Sequence, residues 1–358
     1  MTAVNAEAEV ITRRDGAVGR ITLNRPKAIH ALNLAMCQAM SAALIEWRDD
    51  AAIEAIIIDH APGTRGFCAG GDVVMLAKSG ASGGEAADAF FHAEYRLNHL
   101  LFSYPKPSLA IMDGITMGGG VGIALPCDYR VATDNTKFAM PETGIGLFPD
   151  VGGGWYLPRL PGRVGEFMAL TGARLDGAEC HYLGLATHFV RSDDVPELIE
   201  RIVTAPGRLA GALGASATTP PDPRIAANEF AIHKHFASDR LEDILAALDA
   251  DDSDWATTEA GTIRTKSPLS CKVSLRLMAE GKLRTDFADE MTAEFALASH
   301  VARTHDFHEG VRALLIDKSG APDWQPASPE TVDDAMLDAL FAPAAAAWSP
   351  FPQAKVPA

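Results

Sequence analysis

Apolar positions along this chain recur with two periods. Over residues 8–24, Val10 and Ile11 precede Asp15-Gly16, and Val18, Ile21 and Leu23 then alternate with polar residues. Asp-Gly between two such runs predicts a tight hairpin. Residues 33–47 (NLAMCQAMSAALIEW) carry helical spacing, and Ile56, Ile57 and Ile58 form the short continuous run of a strand buried on both faces. A Gly-rich loop follows at 63–72. Residues 78–85 (KSGASGGE) are flexible by composition, and a helix is predicted over 86–103. A second buried strand is predicted at 107–112, with further strand signals at 129–133 and 186–190. This alternation of β-pair, loop and helix suggests stacked ββα units. From 226 onward the pattern is mostly helical, with helices expected near 226–236, 240–250, 268–280 and 285–302.

The pattern divides the chain into a core at 1–204 that holds the active site and a linker at 205–225 (APGRLAGALGASATTPPDPRI), rich in Ala, Gly and Pro. A helical region at 226–342 follows, expected to pack over the active site, and a loosely held tail at 343–358. With 358 residues, 47% hydrophobic and 22% charged, the composition is that of a globular protein. A net charge of -16 argues against nucleic acid or an anionic membrane as partner, while leaving room for a local basic patch that holds a small anion. Five widely spaced cysteines without a C-x-x-C fit reduced thiols. The start MTAVNAEAEVITRRDG lacks a basic-then-apolar leader, so a cytoplasmic location is expected.

The chemistry is concentrated between 63 and 154. Gly118–Gly120 opens an apolar helix. It is either a tight strand-to-helix turn or a turn whose N–H, at Gly119, faces a developing oxyanion. The loop RGFCAGGD (65–72) either closes a strand with Asp72 as a helix cap or supplies a second donor at Gly71. Glu142 and Asp150, in PETGIGLFPDVGGG, are a first-turn acid and a turn residue when taken singly. Together, between apolar segments, they read as a buried carboxylate pair. By spacing alone, Glu94 lies on a solvated helix face. His305 and His308 are spaced i, i+3, but no third ligand is evident, so no metal is assigned. Nucleophile-elbow, Walker A and dinucleotide fingerprints are missing.

These segments, with ITLNRPKAIHALN (21–33), GITMGGGVGIAL (114–125) and HDFHEGVRALLIDK (305–318), resemble the crotonase (enoyl-CoA hydratase/isomerase) superfamily, and within it the 3-hydroxyisobutyryl-CoA hydrolases. The resemblance implies an α/β fold, a spiral (superhelix) core of stacked ββα units with a helical C-terminal region. It also implies an acyl-CoA substrate, no cofactor beyond the CoA of that substrate, and a homo-oligomer, trimer or hexamer. Residue by residue, it implies Glu142 and Asp150 as catalytic carboxylates and the Gly71 and Gly119 N–H groups as the oxyanion hole. Glu94 would contact substrate, together with Gly118. The segment Arg25–Ala31 and the loop Cys68–Ala69–Gly70 would clasp the adenine and phosphates, with Arg25, Lys27 and Arg65 as phosphate partners. The hydratases carry a second Glu two residues after the triple glycine, where this chain has Gly122. The expected activity is therefore hydrolysis of a short 3-hydroxyacyl-CoA. Enoyl-CoA hydration or isomerisation is the nearest rival, and non-catalytic binding of a CoA thioester the next.

Overall fold

A computed structural model describes residues 8–352. The order is β1 (Val10–Asp15), β2 (Val18–Leu23), α1 (Leu34–Arg48), β3 (Ala55–His60), α2 (Val73–Gly80), α3 (Glu85–Phe102), β4 (Ser108–Met112), β5 (Ile115–Met117), α4 (Gly119–Ala124), β6 (Tyr129–Ala132) and β7 (Lys137–Ala139). It continues with α5 (Gly153–Tyr156), α6 (Val164–Thr171), β8 (Leu175–Asp176), α7 (Gly177–Tyr182), β9 (His188–Phe189), α8 (Val195–Thr204) and α9 (Leu209–Ser216). The helical region comprises α10 (Glu229–His235), α11 (Leu241–Asp249), α12 (Asp254–Arg264), α13 (Pro268–Gly281), α14 (Phe287–Val301), α15 (His305–Val311) and α16 (Asp334–Leu340).

Six strands pair in the order β1-β2-β3-β4-β6-β9, antiparallel only at the β1–β2 hairpin, and β5-β7-β8 form a smaller sheet. The continuous Ile56–Ile58 run is explained by burial on both faces. Ile56 and Ile58 join a core with α1 and α3, whereas Ile57 joins Val18, Leu109, Ile111 and Val131 beneath α8 and α9.

The expected helices and strands are present, with four differences. The segment 205–225 is in part structural, because α9 buries Leu209 and Leu213 against the back of the six-stranded sheet. Lys78–Gly80 ends a helix: Gly80 is small because a Cβ there would meet the Ala302 carbonyl oxygen at 1.8 Å. Helix α12 escaped the pattern because it buries only Ala256, Ala260 and Ile263 among Thr, Glu and Gly. The tail is packed as far as it is described: Trp348 is 6% exposed against the His99 ring, and Phe351 lies under the Arg96 guanidinium. Residues 1–7, where the leader would lie, and 353–358 of the tail fall outside the described residues. Among the described residues, no helix is long and apolar enough to cross a membrane.

Candidate active site

Two Gly-rich turns meet at one end of the core. The first follows β3. Its backbone is stitched to the chain on either side: Leu32 N–H donates to the Gly70 carbonyl (2.7 Å), Asp72 N–H to Leu32 (2.9 Å), Cys68 N–H to Ile115 (2.9 Å) and Met117 N–H to Cys68 (2.9 Å). The second turn joins β5 to α4 with Gly118 at φ 48°, a left-handed conformation that side chains disfavour. The two turns touch, since a Cβ on Gly70 would lie 3.8 Å from the Gly119 nitrogen. The N–H groups of Gly71 and Gly119 have no acceptor among the described residues. Two free donors from separate segments therefore flank a cavity of about 360 Å³, lined by Phe90, Phe91, Leu76 and Leu147 on its apolar side.

Three carboxylates reach into this cavity. Glu94 is buried on α3, and its Oε1 has no hydrogen-bond partner; a Cβ at Gly119 would sit 2.4 Å from it. Glu142 opens a 3-10 turn over Glu142–Ile145. Its Oε2 is likewise without a partner, and Oε1 lies 3.0 Å from a Cβ built on Gly118. Asp150 Oδ2 accepts from the Tyr95 hydroxyl at 2.7 Å. Burial, and then the neighbouring charge of Asp150, hold Glu142 well above the usual carboxylate range, and burial pushes Asp150 up to about 6. Burial and the charges of Asp150 and Glu142 raise Glu94 too. The spacing-only reading of Glu94 as a solvated residue is thus corrected: it shares α3 with Phe90 and Phe91, on the face turned inward. Orphaned buried acceptors beside free N–H donors make a site that can exchange protons and hold a developing oxyanion.

The helical region builds one wall. A Cβ on Gly146 would meet the Asp306 carbonyl oxygen at 2.2 Å, and one on Gly310 would meet the Ile145 carbonyl oxygen at 2.5 Å, so α15 presses on the Glu142 turn. Asp306 itself accepts from Ser267 and from the Gln325 N–H (2.7 Å). His305 and His308 point elsewhere, pairing through Nε2 with the carbonyls of Asp323 and Ala302.

The predicted phosphate partners fare unevenly. Arg25 is committed within the protein to Asp72 (2.9 Å), Glu9 (3.1 Å) and the Ala31 carbonyl (2.9 Å). Lys27 and Arg65 are exposed and make no ion pair among the described residues. Cys68 contributes backbone only, its thiol being buried against the His30 carbonyl. Of this group, only Ala69 and Gly70 line the cavity. Sequence reasoning missed two cations that do: Arg174, and Lys266, half-buried with its ammonium 3.7 Å from a Cβ built on Gly144. Neither has an acid partner among the described residues. It also missed Tyr95, whose one visible signal was its place beside Glu94.

Gly122 stands where the hydratases that the sequence resembles are expected to carry a second Glu. A Cβ there would lie 2.5 Å from Val151 Cβ and 2.9 Å from Asn98 Nδ2, so the residue after Asp150 leaves no room for a side chain. The model of the family described as enoyl-CoA hydratase/isomerase matches residues 18–341. The chain is 43% identical over 343 residues to a 3-hydroxyisobutyryl-CoA hydrolase, mitochondrial, of Rattus norvegicus (93% of this chain, 89% of the relative). It is 40% identical over 348 residues to that of Homo sapiens (94% and 89%).

The chain belongs to the enoyl-CoA hydratase/isomerase family, and within it to the 3-hydroxyisobutyryl-CoA hydrolases.

Two family members with solved structures superpose over nearly the whole chain. A carnitinyl-CoA dehydratase from Mycobacterium thermoresistibile gives a TM-score of 0.91 at 39% identity, covering 96% of this chain and 99% of that one. An enoyl-CoA hydratase from Rhodobacter sphaeroides gives 0.87 at 36%, covering 94% and 98%. The spiral core and helical C-terminal region are thus those of the family. The expected cytoplasmic location is overturned: the hydrolase relatives are named mitochondrial.

Proposed function

We propose that this enzyme hydrolyses a short 3-hydroxyacyl-CoA thioester, 3-hydroxyisobutyryl-CoA foremost, to the 3-hydroxy acid and CoA. The carrying observation is Val151 filling the space at Gly122. It leaves no room for a second water-positioning Glu on α4 and delivers Asp150 from the following turn instead. The relatives' names as hydrolases support the same reading.

In this mechanism the thioester oxygen sits between the Gly71 and Gly119 N–H groups. The Glu142 carboxylate attacks the carbonyl carbon, or takes a proton from the attacking water, and the charge that develops on oxygen is met by two fixed donors. Collapse of the tetrahedral species breaks the C–S bond, and the CoA sulfur receives a proton relayed by Asp150. If Glu142 has become acylated, water attacks the anhydride and restores it. Asp150, held by Tyr95, also meets the substrate's 3-hydroxyl, and Glu94 contacts the acyl group. Arg174 and Lys266, the unpaired cations at the cavity, attract the anionic substrate in a chain of net charge -16. Gly118, Ala69, Gly70 and the Arg25–Ala31 segment supply backbone contacts to CoA, and Lys27 meets its phosphates at the exposed edge.

The second reading, hydration of an enoyl-CoA, is favoured by the name of the Rhodobacter sphaeroides relative, an enoyl-CoA hydratase. Free-thiol release from 3-hydroxyisobutyryl-CoA, measured beside water addition to crotonyl-CoA, separates them. Fast thiol release with negligible hydration is expected; hydration without thiol release would overturn the hydrolase reading. Binding without either reaction would point to a non-catalytic role. We also propose a homo-oligomer, trimer or hexamer. Because Lys266, Leu314 and Leu315 line the cavity from the same chain, a monomer in light scattering would refute only the oligomer.

A further inference from the structure

The turn that presents Asp150 is held from behind by a carboxylate of the helical region. Val151 has φ 53° and Gly152 φ 93°. A β-branched residue in the left-handed region costs about 1–3 kcal/mol and persists only where its surroundings over-determine it. The over-determining contact comes from Glu294 on α14, fully buried. Its Oε2 accepts the Gly152 N–H at 2.8 Å and its Oε1 accepts the Gly154 N–H at 3.1 Å. Glu290, one turn earlier, pairs with Arg284 at 3.0 Å and packs against Gly154, where a Cβ would meet its Oε1 at 2.1 Å. Placing two buried acids behind a site that already holds three is electrostatically costly, and an apolar side chain at 294 would leave the Gly152 and Gly154 N–H groups without an acceptor. The arrangement makes sense if the two-point grip on the turn is what is needed.

We infer that Glu294 is a positioning residue for the reaction: it fixes the Asp150–Gly154 turn through the amides of Gly152 and Gly154, and so sets where the Asp150 carboxylate meets the substrate without touching the substrate itself. The same grip keeps Val151 over Gly122, so one carboxylate maintains both the presence of Asp150 and the exclusion of the alternative. The inference rests on the hydrolase reading only for its activity assay.

The test is Glu294→Gln. Its amide accepts one of the two N–H groups and turns its own NH₂ toward the other. In thiol release from 3-hydroxyisobutyryl-CoA, kcat should fall about 10–100-fold with KM changed by no more than about 2-fold, because a misplaced group costs rate before binding. Amide exchange at Gly152 and Gly154 should accelerate while the β3 and β4 amides stay protected. A folded Glu294→Gln with wild-type kcat and unchanged exchange at these two amides overturns the inference. If the wild-type protein releases no thiol, the hydrolase reading fails, and the exchange measurement alone decides this one. Should Glu294→Gln not fold, Glu294→Asp serves: it keeps the acid but falls a methylene short of gripping both amides. It should lower kcat at constant KM, and wild-type kcat there would refute the grip.

Discussion

The unusual residues here are buried carboxylates, of which Glu94 and Glu142 each keep one oxygen without a partner among the described residues. Glu142 is costly to bury ionised, and in the proposed mechanism that cost is the source of its reactivity, because a desolvated carboxylate beside two free N–H donors suits attack on a carbonyl. Replacing it with Gln should lower thiol release by about 10³-fold or more. The same change should stabilise the empty protein. A carboxyl whose folded-state pKa is raised binds its proton more tightly folded than unfolded, so stability is full below the unfolded value and is lost as pH rises toward the folded one. Glu142→Gln removes that loss, and calorimetry above neutral pH should show a higher Tm, at roughly 2 °C per kcal/mol recovered. Asp150 offers a second test. Because the proposed attack needs the Glu142 carboxylate, kcat/KM should rise with pH, with a midpoint at or above the Asp150 value of about 6. Asp150→Asn takes a negative charge away from Glu142, so the acid limb should move to lower pH even as the maximal rate falls. A limb that stayed in place would mean that the two groups do not share protons.

Elements meet at this site by close backbone approach, which is why glycine is concentrated there. Gly122 is the clearest case, because α4 passes directly under Val151. Gly122→Ala should cost about 1–3 kcal/mol through overpacking and slow thiol release by lifting the Asp150 turn. Thermal denaturation and the thiol assay on one preparation check both; an unperturbed variant would show that the turn yields freely. The motifs at 66–72, 114–125 and 138–160 were legible in the sequence because each is a local device, a glycine turn beside a strand or a helix start that neighbouring residues set up. What each contacts was not legible. Glu94 looked solvated because spacing along α3 does not say which face meets the cavity, and Arg174 and Lys266 carried no motif at all.

Across the whole molecule, the helical region is packed into the candidate site rather than appended to the core, since α13, α14 and α15 brace the turns that carry Glu142 and Asp150. The C-terminal tail extends this bracing to α1, where Arg48 donates to the Pro352 carbonyl, and to α3, where Trp348 covers His99. Trp348→Ala should therefore destabilise the protein by about 3 kcal/mol, measured by denaturant unfolding, with little change in KM. A loosely attached tail would give no change in stability.

Sequence alone determined the β1–β2 hairpin, the buried strands β3 and β4, the long helices α1, α3, α13 and α14, the two glycine turns, the pair Glu142 and Asp150, and the family, while it missed α9 and α12. These are written in local periodicity and short motifs, which depend on neighbours a few residues away. Tertiary structure decided the rest. It showed that Glu94 faces inward, that Arg25 is neutralised by Glu9 and Asp72, and that Val151 occupies the space above Gly122. It also showed that a glutamate some 140 residues downstream holds the Asp150 turn. Each of these is a contact between segments distant in sequence, fixed by packing and by the need to satisfy buried polar groups, and no local pattern encodes it.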